Sequence, residues 1–145
     1  MRLQVVVESQ SVEKNTSSLT VRLYADDDTR CFGPGIATLL HRVEEHRSLR
    51  AAAASMGMAY SKAWRIIRTA EAVFDRKLLD STIGGRHGGG AVLTEDAQRL
   101  LAAYDRYRAD LEAYARSRFR DAFGDFGAVS PEQSTGRGGS TPSRG

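Results

Sequence analysis

Two groups of residues in this 145-residue chain have the types and spacing to do chemistry. Ser61, Lys62, Arg65, Arg68 and Thr69 fall on one arc of a helix, and Tyr60 stands at its start. Arg86 and His87 lie within the run Gly84-Gly85-Arg86-His87-Gly88-Gly89-Gly90. Hydroxyl, ammonium and guanidinium groups donate hydrogen bonds to phosphate oxygens and base edges, so the chemistry they suit is recognition of duplex DNA. Arg65 is the candidate for a bidentate contact to guanine, the commonest specific contact, and Arg68 for a phosphate. Arg86 and His87, flanked by glycines that permit close approach, suit the backbone or the minor groove.

Residues for bond-making chemistry are sparse. His41 and His46 are five apart and do not share a helix face, and Cys31 precedes them on a different element, whereas zinc asks for i, i+4 histidines or paired cysteines. The glycine run lacks the lysine and hydroxyl of a phosphate-binding loop and does not open directly into a helix. Asp26-Asp27-Asp28 lacks the alternate ligands, glycine and distal glutamate of a calcium loop, and reads as a solvated turn. No catalytic residue, metal or cofactor is expected.

The elements that must position the basic arc follow from hydrophobic periodicity. Ala63, Ile66, Ile67, Ala70 and Phe74 recur at helical spacing and give a helix from about 59 to 74 with one apolar face. Ala51 to Ala54 form a short helix whose small side chains let the next helix cross closely, and Met56-Gly57-Met58 is the turn between them. Ser48 is its natural N-cap. Upstream, Gly33-Pro34-Gly35 starts a helix with Ile36, Leu39, Leu40 and Val43 on its apolar face. Leu19 to Tyr24 alternates as a strand, with Thr29 to Phe32 returning as its partner. Leu3, Val5 and Val7 alternate weakly, the pattern of a first strand within 1–10, and Ser9 to Ser18 reads as a loop.

Downstream, Leu78 to Ile83 and Ala91 to Thr94 flank the glycine tip as a β-hairpin wing. Thr94 caps a last helix reaching about Phe123, with Glu95 and Asp96 favourably placed in its first turn. Ala97, Leu100, Tyr104, Tyr107, Leu111 and Tyr114 follow a 3,4,3,4,3 spacing along it. Leu100, Tyr104, Tyr107, Leu111 and Tyr114 are therefore the expected homodimer interface. Trp64, at the edge of the apolar face, is expected to pack on the core.

These elements add up to a mainly α fold with small β: a winged helix-turn-helix with an N-terminal β-hairpin, a glycine-rich wing and a long C-terminal dimerisation helix. The expected divisions are an N-terminal extension over 1–17, the winged domain over 18–123 and a disordered tail over 124–145, where Gly, Ser, Thr, Pro and Arg dominate. With 41% apolar and 27% charged residues the chain can build one small core, and no run approaches the roughly 18 apolar residues of a membrane span. No signal-peptide core precedes the first strand, and the lone Cys31 cannot form an intramolecular disulfide, so a cytoplasmic location is expected. The net charge is only +3, so the basic residues matter by position and not by number.

F-G-P-G-I-A-T-L-L (32–40), S-L-R-A-A-A-A-S-M-G-M-A-Y-S-K-A-W (48–64) and above all G-G-R-H-G-G-G-A-V-L-T (84–94) resemble the N-terminal DNA-binding domain of the molybdate-responsive regulators (ModE), a winged-helix relative of the LysR-type regulators. The resemblance runs from about Leu19 to Ala115. It implies a winged-helix fold, a cytoplasmic homodimer and a transcriptional regulator. The oxyanion-binding β-barrel modules of molybdate-responsive members have no counterpart in the low-complexity stretch that follows, so molybdate binding is not expected. Ala59 stands where the family often has serine, and Arg86-His87 where a lysine and a glycine are usual. A winged helix whose cationic face binds an acidic protein partner is the alternative function.

Overall fold

The structure, a computed structural model, describes residues 3–12, 16–82 and 89–126. A three-stranded antiparallel sheet comes first. β1 (Gln4–Val12) pairs with β2 (Thr16–Tyr24) from Gln4 opposite Tyr24 to Val12 opposite Thr16, and β2 pairs with β3 (Arg30–Phe32). The loop expected over Ser9 to Ser18 is corrected where it is described: 9–12 and 16–18 are ladder, and 13–15 lie outside the described residues. Antiparallel pairing uses backbone groups, so a polar run can continue a ribbon that its neighbours have already brought into register. The expected division at position 17 falls inside β2. The acidic turn between β2 and β3 closes on itself. Ala25 N–H donates to the Thr29 carbonyl at 2.9 Å, and the Asp27 carboxylate accepts from Thr29 N–H at 3.0 Å, which holds its pKa below the ordinary aspartate value.

Helix α1 (Pro34–His46) starts with proline in its first turn, where the missing N–H costs nothing, and buries Ile36, Ala37, Leu39, Leu40 and Val43. It is the centre of the core, together with Val21, Phe32, Leu49, Ile67 and Leu78. Arg47 ends it in the left-handed conformation at φ 53°. Ser48 caps α2 (Leu49–Ser55), its hydroxyl accepting from Ala51 N–H at 3.1 Å. Ala52 and Ala53 are fully buried, the close crossing that small side chains permit. Gly57, at φ 64°, turns the chain, with Met58 N–H donating back to the Ala53 carbonyl at 2.9 Å. Helix α3 (Tyr60–Phe74) follows and buries Ala63, Ile67 and Ala70, with Ile66, Phe74 and Trp64 partly covered.

The wing base is β4 (Leu79–Thr82) paired antiparallel with β5 (Gly90–Leu93). Its two buried leucines, Leu79 and Leu93, are cross-strand partners. Gly90 is required by space: a Cβ there would collide with Thr82 Oγ1 and lie 3.2 Å from the Arg47 carbonyl. The glycine tip with Arg86 and His87 lies outside the described residues, as does the chain from 127 onward. Helix α4 (Glu95–Phe123) is 29 residues long, about 43 Å at 1.5 Å per residue. Thr94 caps it, accepting from Ala97 N–H at 3.1 Å. Among the described residues no helix is long and apolar enough to cross a membrane. The fold is a winged helix: mainly helical, with two small antiparallel sheets and a long final helix.

Candidate nucleic-acid interface

The buried stripe Ala63, Ile67 and Ala70 fixes which side of α3 faces out. Ser61, Lys62, Arg65 and Arg68 are exposed on the opposite arc, with Tyr60 at its start. Thr69 is half-buried, and its hydroxyl donates to the Arg65 carbonyl one turn back at 2.9 Å. That bond occupies the proton of Thr69 and makes it the least available of the predicted contacts. The Arg68 guanidinium stands over the Trp64 ring at 5.1 Å, and Trp64 meets Tyr60 edge to face at 6.2 Å. Trp64 thus packs partly on the core and partly as a support beneath Arg68.

Several acids near the arc are committed elsewhere, while Asp75, at the end of α3, lines the same groove as Arg68. The Glu71 carboxylate accepts from Leu78 N–H at 2.8 Å, tying the end of α3 to the wing. Arg76 pairs with Asp96 at 3.0 Å, and Lys77 approaches Asp80 at 3.6 Å. These two cations contribute less to the field than the sequence suggests. Among the described residues, Lys62, Arg65 and Arg68 form no ion pair, so the outer arc keeps its positive charge. Desolvation is the main cost of moving a paired charge, and unpaired surface cations can exchange water and counterions for phosphates without breaking a bridge.

The wing base belongs to the same surface. Trp64, Arg68 and Glu71 of α3 and Leu79 and Ser81 of β4 line one open groove. Ala91 N–H donates to the Arg47 carbonyl at 3.0 Å, which locks β5 to the α1–α2 junction. The structure therefore brings together Tyr60, Ser61, Lys62, Arg65 and Arg68 and sets the base of the wing beside them. Arg86 and His87 lie outside the described residues. Sequence spacing misses Arg50, whose guanidinium stands 4.1 Å over the Tyr60 ring. The two residues are ten apart on different helices, and only the three-dimensional turn at Gly57 pairs them.

The seam expected along α4 is corrected at Tyr104. That residue is 4% exposed, stacks edge to face on Phe32 at 5.0 Å and donates its hydroxyl to the Val21 carbonyl at 2.8 Å. It belongs to the core of its own chain, since Ala97, Leu101 and Tyr104 are the buried stripe of α4. Leu100 and Leu111 are half-buried, and Leu100 borders a groove with Phe74 and Leu78. Tyr107 and Tyr114 are exposed, as are Phe123 and Phe126 beyond them. Leu3, just before β1, and Val5, Val6 and Val7 within it are exposed as well. Their alternation is visible in the sequence, but nothing there reveals that neither face of this stretch is covered.

The pattern of the bacterial regulatory helix-turn-helix proteins of the lysR family matches residues 37–98. The transcriptional regulator ModE of Haemophilus influenzae is 33% identical over 93 residues, 63% of this chain and 35% of that protein. The DNA-binding transcriptional dual regulator ModE of Escherichia coli is 33% identical over 90 residues, 62% of this chain and 32% of the relative. The molybdenum-pterin-binding protein MopA of Rhodobacter capsulatus is 35% identical over 66 residues, 46% of this chain and 25% of the relative. The chain spans about a third or less of the length of these relatives.

Proposed function

We propose that the protein is a sequence-specific DNA-binding transcriptional regulator acting as a homodimer, with residues 37–98, which match the lysR-family helix-turn-helix pattern and resemble ModE, as its reading domain. The observation that carries this reading is the outer arc of α3. Ser61, Lys62, Arg65 and Arg68 are exposed there with no acidic partner among the described residues, beside a wing base hydrogen-bonded into the same scaffold. Helix α3 enters the major groove. Arg65 donates two parallel hydrogen bonds to a guanine edge, while Arg68 and Lys62 hold phosphates. The wing tip, through Arg86 and His87, rests on the adjacent backbone or minor groove. The exposed Tyr107 and Tyr114 of α4 supply the face for a second copy. Two α3 helices in a two-fold dimer then read half-sites roughly 34–36 Å apart.

The test is salt-titrated binding to random duplex DNA, followed by selection of preferred sites. Log affinity falls linearly with log salt, and Arg86→Ala weakens binding on all sequences alike. Arg65→Ala instead costs about 1–3 kcal/mol on the selected site and relaxes preference at one base pair. Absence of binding at about 50 mM salt, where several phosphate contacts are strong, refutes the proposal.

A further inference from the structure

Arg50 is not used by the recognition arc described above, yet its surroundings are those of a binding group. It lies in the first turn of α2 and is exposed, and its guanidinium sits 4.1 Å from the centre of the Tyr60 ring. Tyr60 is the first residue of α3 and is itself braced edge to face by Trp64. A cation over an aromatic face is held by the ring's quadrupole and not by a hydrogen-bond acceptor, so the contact does not use up the guanidinium N–H groups. Among the described residues no carboxylate pairs with Arg50. The side chain is therefore held in place by an interaction that consumes none of its donors.

We infer that Arg50, stacked on Tyr60, is a clamp for one backbone phosphate of duplex DNA, seating the start of α3 at the lip of the major groove. The inference rests on the DNA-binding reading and adds to it a contact from α2. Three features give it direction. The planar fork of arginine matches two phosphate oxygens, which a lysine does as a point charge only. The stack pre-pays part of the rotamer entropy that a free arginine loses on binding. The position also suits: the Arg47 carbonyl, three residues before Arg50, holds the β5 amide of Ala91, so the chain entering α2 is fastened to the wing base while Arg50 touches the first residue of α3. A strand crossing from the wing to α3 meets it on the way. Such a contact carries no sequence information and sets register and depth.

The experiment compares the wild-type chain, Arg50→Ala, Arg50→Lys and Tyr60→Leu on a 25-base-pair duplex of random sequence, across salt. One lost phosphate contact makes the slope of log affinity against log salt shallower by about 0.9, which at about 0.1 M salt is an affinity loss of about eightfold. Arg50→Ala is expected to show both. Arg50→Lys keeps the slope and loses part of the affinity. Tyr60→Leu weakens binding by the Arg50 protein and adds nothing in the Arg50→Ala background, as two members of one unit do. A thermal melt of each variant separates folding from binding. A lower melting temperature with an unchanged slope in Arg50→Ala makes the stack a brace of the helix pair and overturns the clamp, as do additive losses of Arg50 and Tyr60. Wild-type protein that fails to bind the duplex overturns the DNA-binding reading itself. Wild-type protein that binds with a slope insensitive to Arg50 overturns this inference alone.

Discussion

Replacing Tyr104 with phenylalanine isolates one hydrogen bond that fastens the long helix to the sheet. The ring is 4% exposed and stays in place in the variant, keeping its edge-to-face contact with Phe32, so no cavity opens. What is lost is the 2.8 Å bond from the hydroxyl to the Val21 carbonyl, which joins residues 83 apart in sequence. Removing a donor strands a buried acceptor, and the cost is about 1–3 kcal/mol, against about 0.5 kcal/mol for a change at the surface. At about 4 °C per kcal/mol for a domain of this size, the melting temperature falls by roughly 4–12 °C. The pH dependence is a second signature. Burial, partly offset by Arg108, raises the phenol pKa of Tyr104 above its ordinary value near 10. A raised folded pKa means stability that is complete below the unfolded pKa and is lost as pH rises through the folded one. Phenylalanine has nothing to titrate, so the gap between wild type and variant should narrow above about pH 10. Urea unfolding at pH 7 and at about pH 10.5 measures both. A loss under about 0.5 kcal/mol at pH 7, or a gap that stays constant with pH, refutes the placement of Tyr104 in the core.

Tyr107→Glu, one turn further along α4 and on its exposed side, is expected to shift the protein towards monomer in sedimentation while Tyr104→Phe leaves the mass unchanged; an unaltered mass for Tyr107→Glu removes that residue from the interface. Gly57→Ala meets no atom within 4 Å, so its cost is the left-handed backbone at φ 64° alone, about 1–2 kcal/mol in urea unfolding, and a neutral result contradicts the turn geometry. Helix α3 has no side-chain cap because Ala59 occupies that position, and Ala59→Ser should stabilise the chain by about 0.5–1 kcal/mol. A loss of stability there means that the serine hydroxyl cannot reach the free amides.

The helices were legible because each one carries its own period and its own ends. Ser48 and Thr94 cap where hydroxyls precede apolar runs, and the stripe of α1 is Ile36, Leu39, Leu40 and Val43 as spacing requires. Other features depend on neighbours that no local pattern encodes. The spacing of Tyr104 and Tyr107 is that of one seam, yet α4 packs on β2 so that the first is buried, bonded to the Val21 carbonyl, and the second is exposed. The paired stretches 9–12 and 16–18 are polar but for Val12, and they continue the register set by Val5, Val6 and Val7. The basic arc of α3 was visible in sequence, but which cations stay unpaired was not. Arg76 finds Asp96 twenty residues on, and Arg50 finds an aromatic ring instead of an acid.

The same contacts bear on how reading and assembly are joined. Thr94 ends the wing and begins α4, and its hydroxyl works for both: it donates to the Lys77 carbonyl at 2.7 Å and accepts from Ala97 N–H. Its own amide donates to the Leu78 carbonyl at 3.0 Å, and Leu78 N–H is held by Glu71 of α3. Helix α3, the wing base and the start of α4 are therefore linked by consecutive hydrogen bonds with no linker between them. A soft joint would let each α3 find its half-site separately, at an entropic cost on every binding event. With this joint the orientation of α3 follows that of α4, so the geometry of the helix pair in a dimer fixes the distance between the two reading helices. On the proposed homodimer, half-site spacing is then a property of the α4 interface, and changes at Tyr107 or Tyr114 are expected to act on which DNA is bound as well as on whether two copies meet.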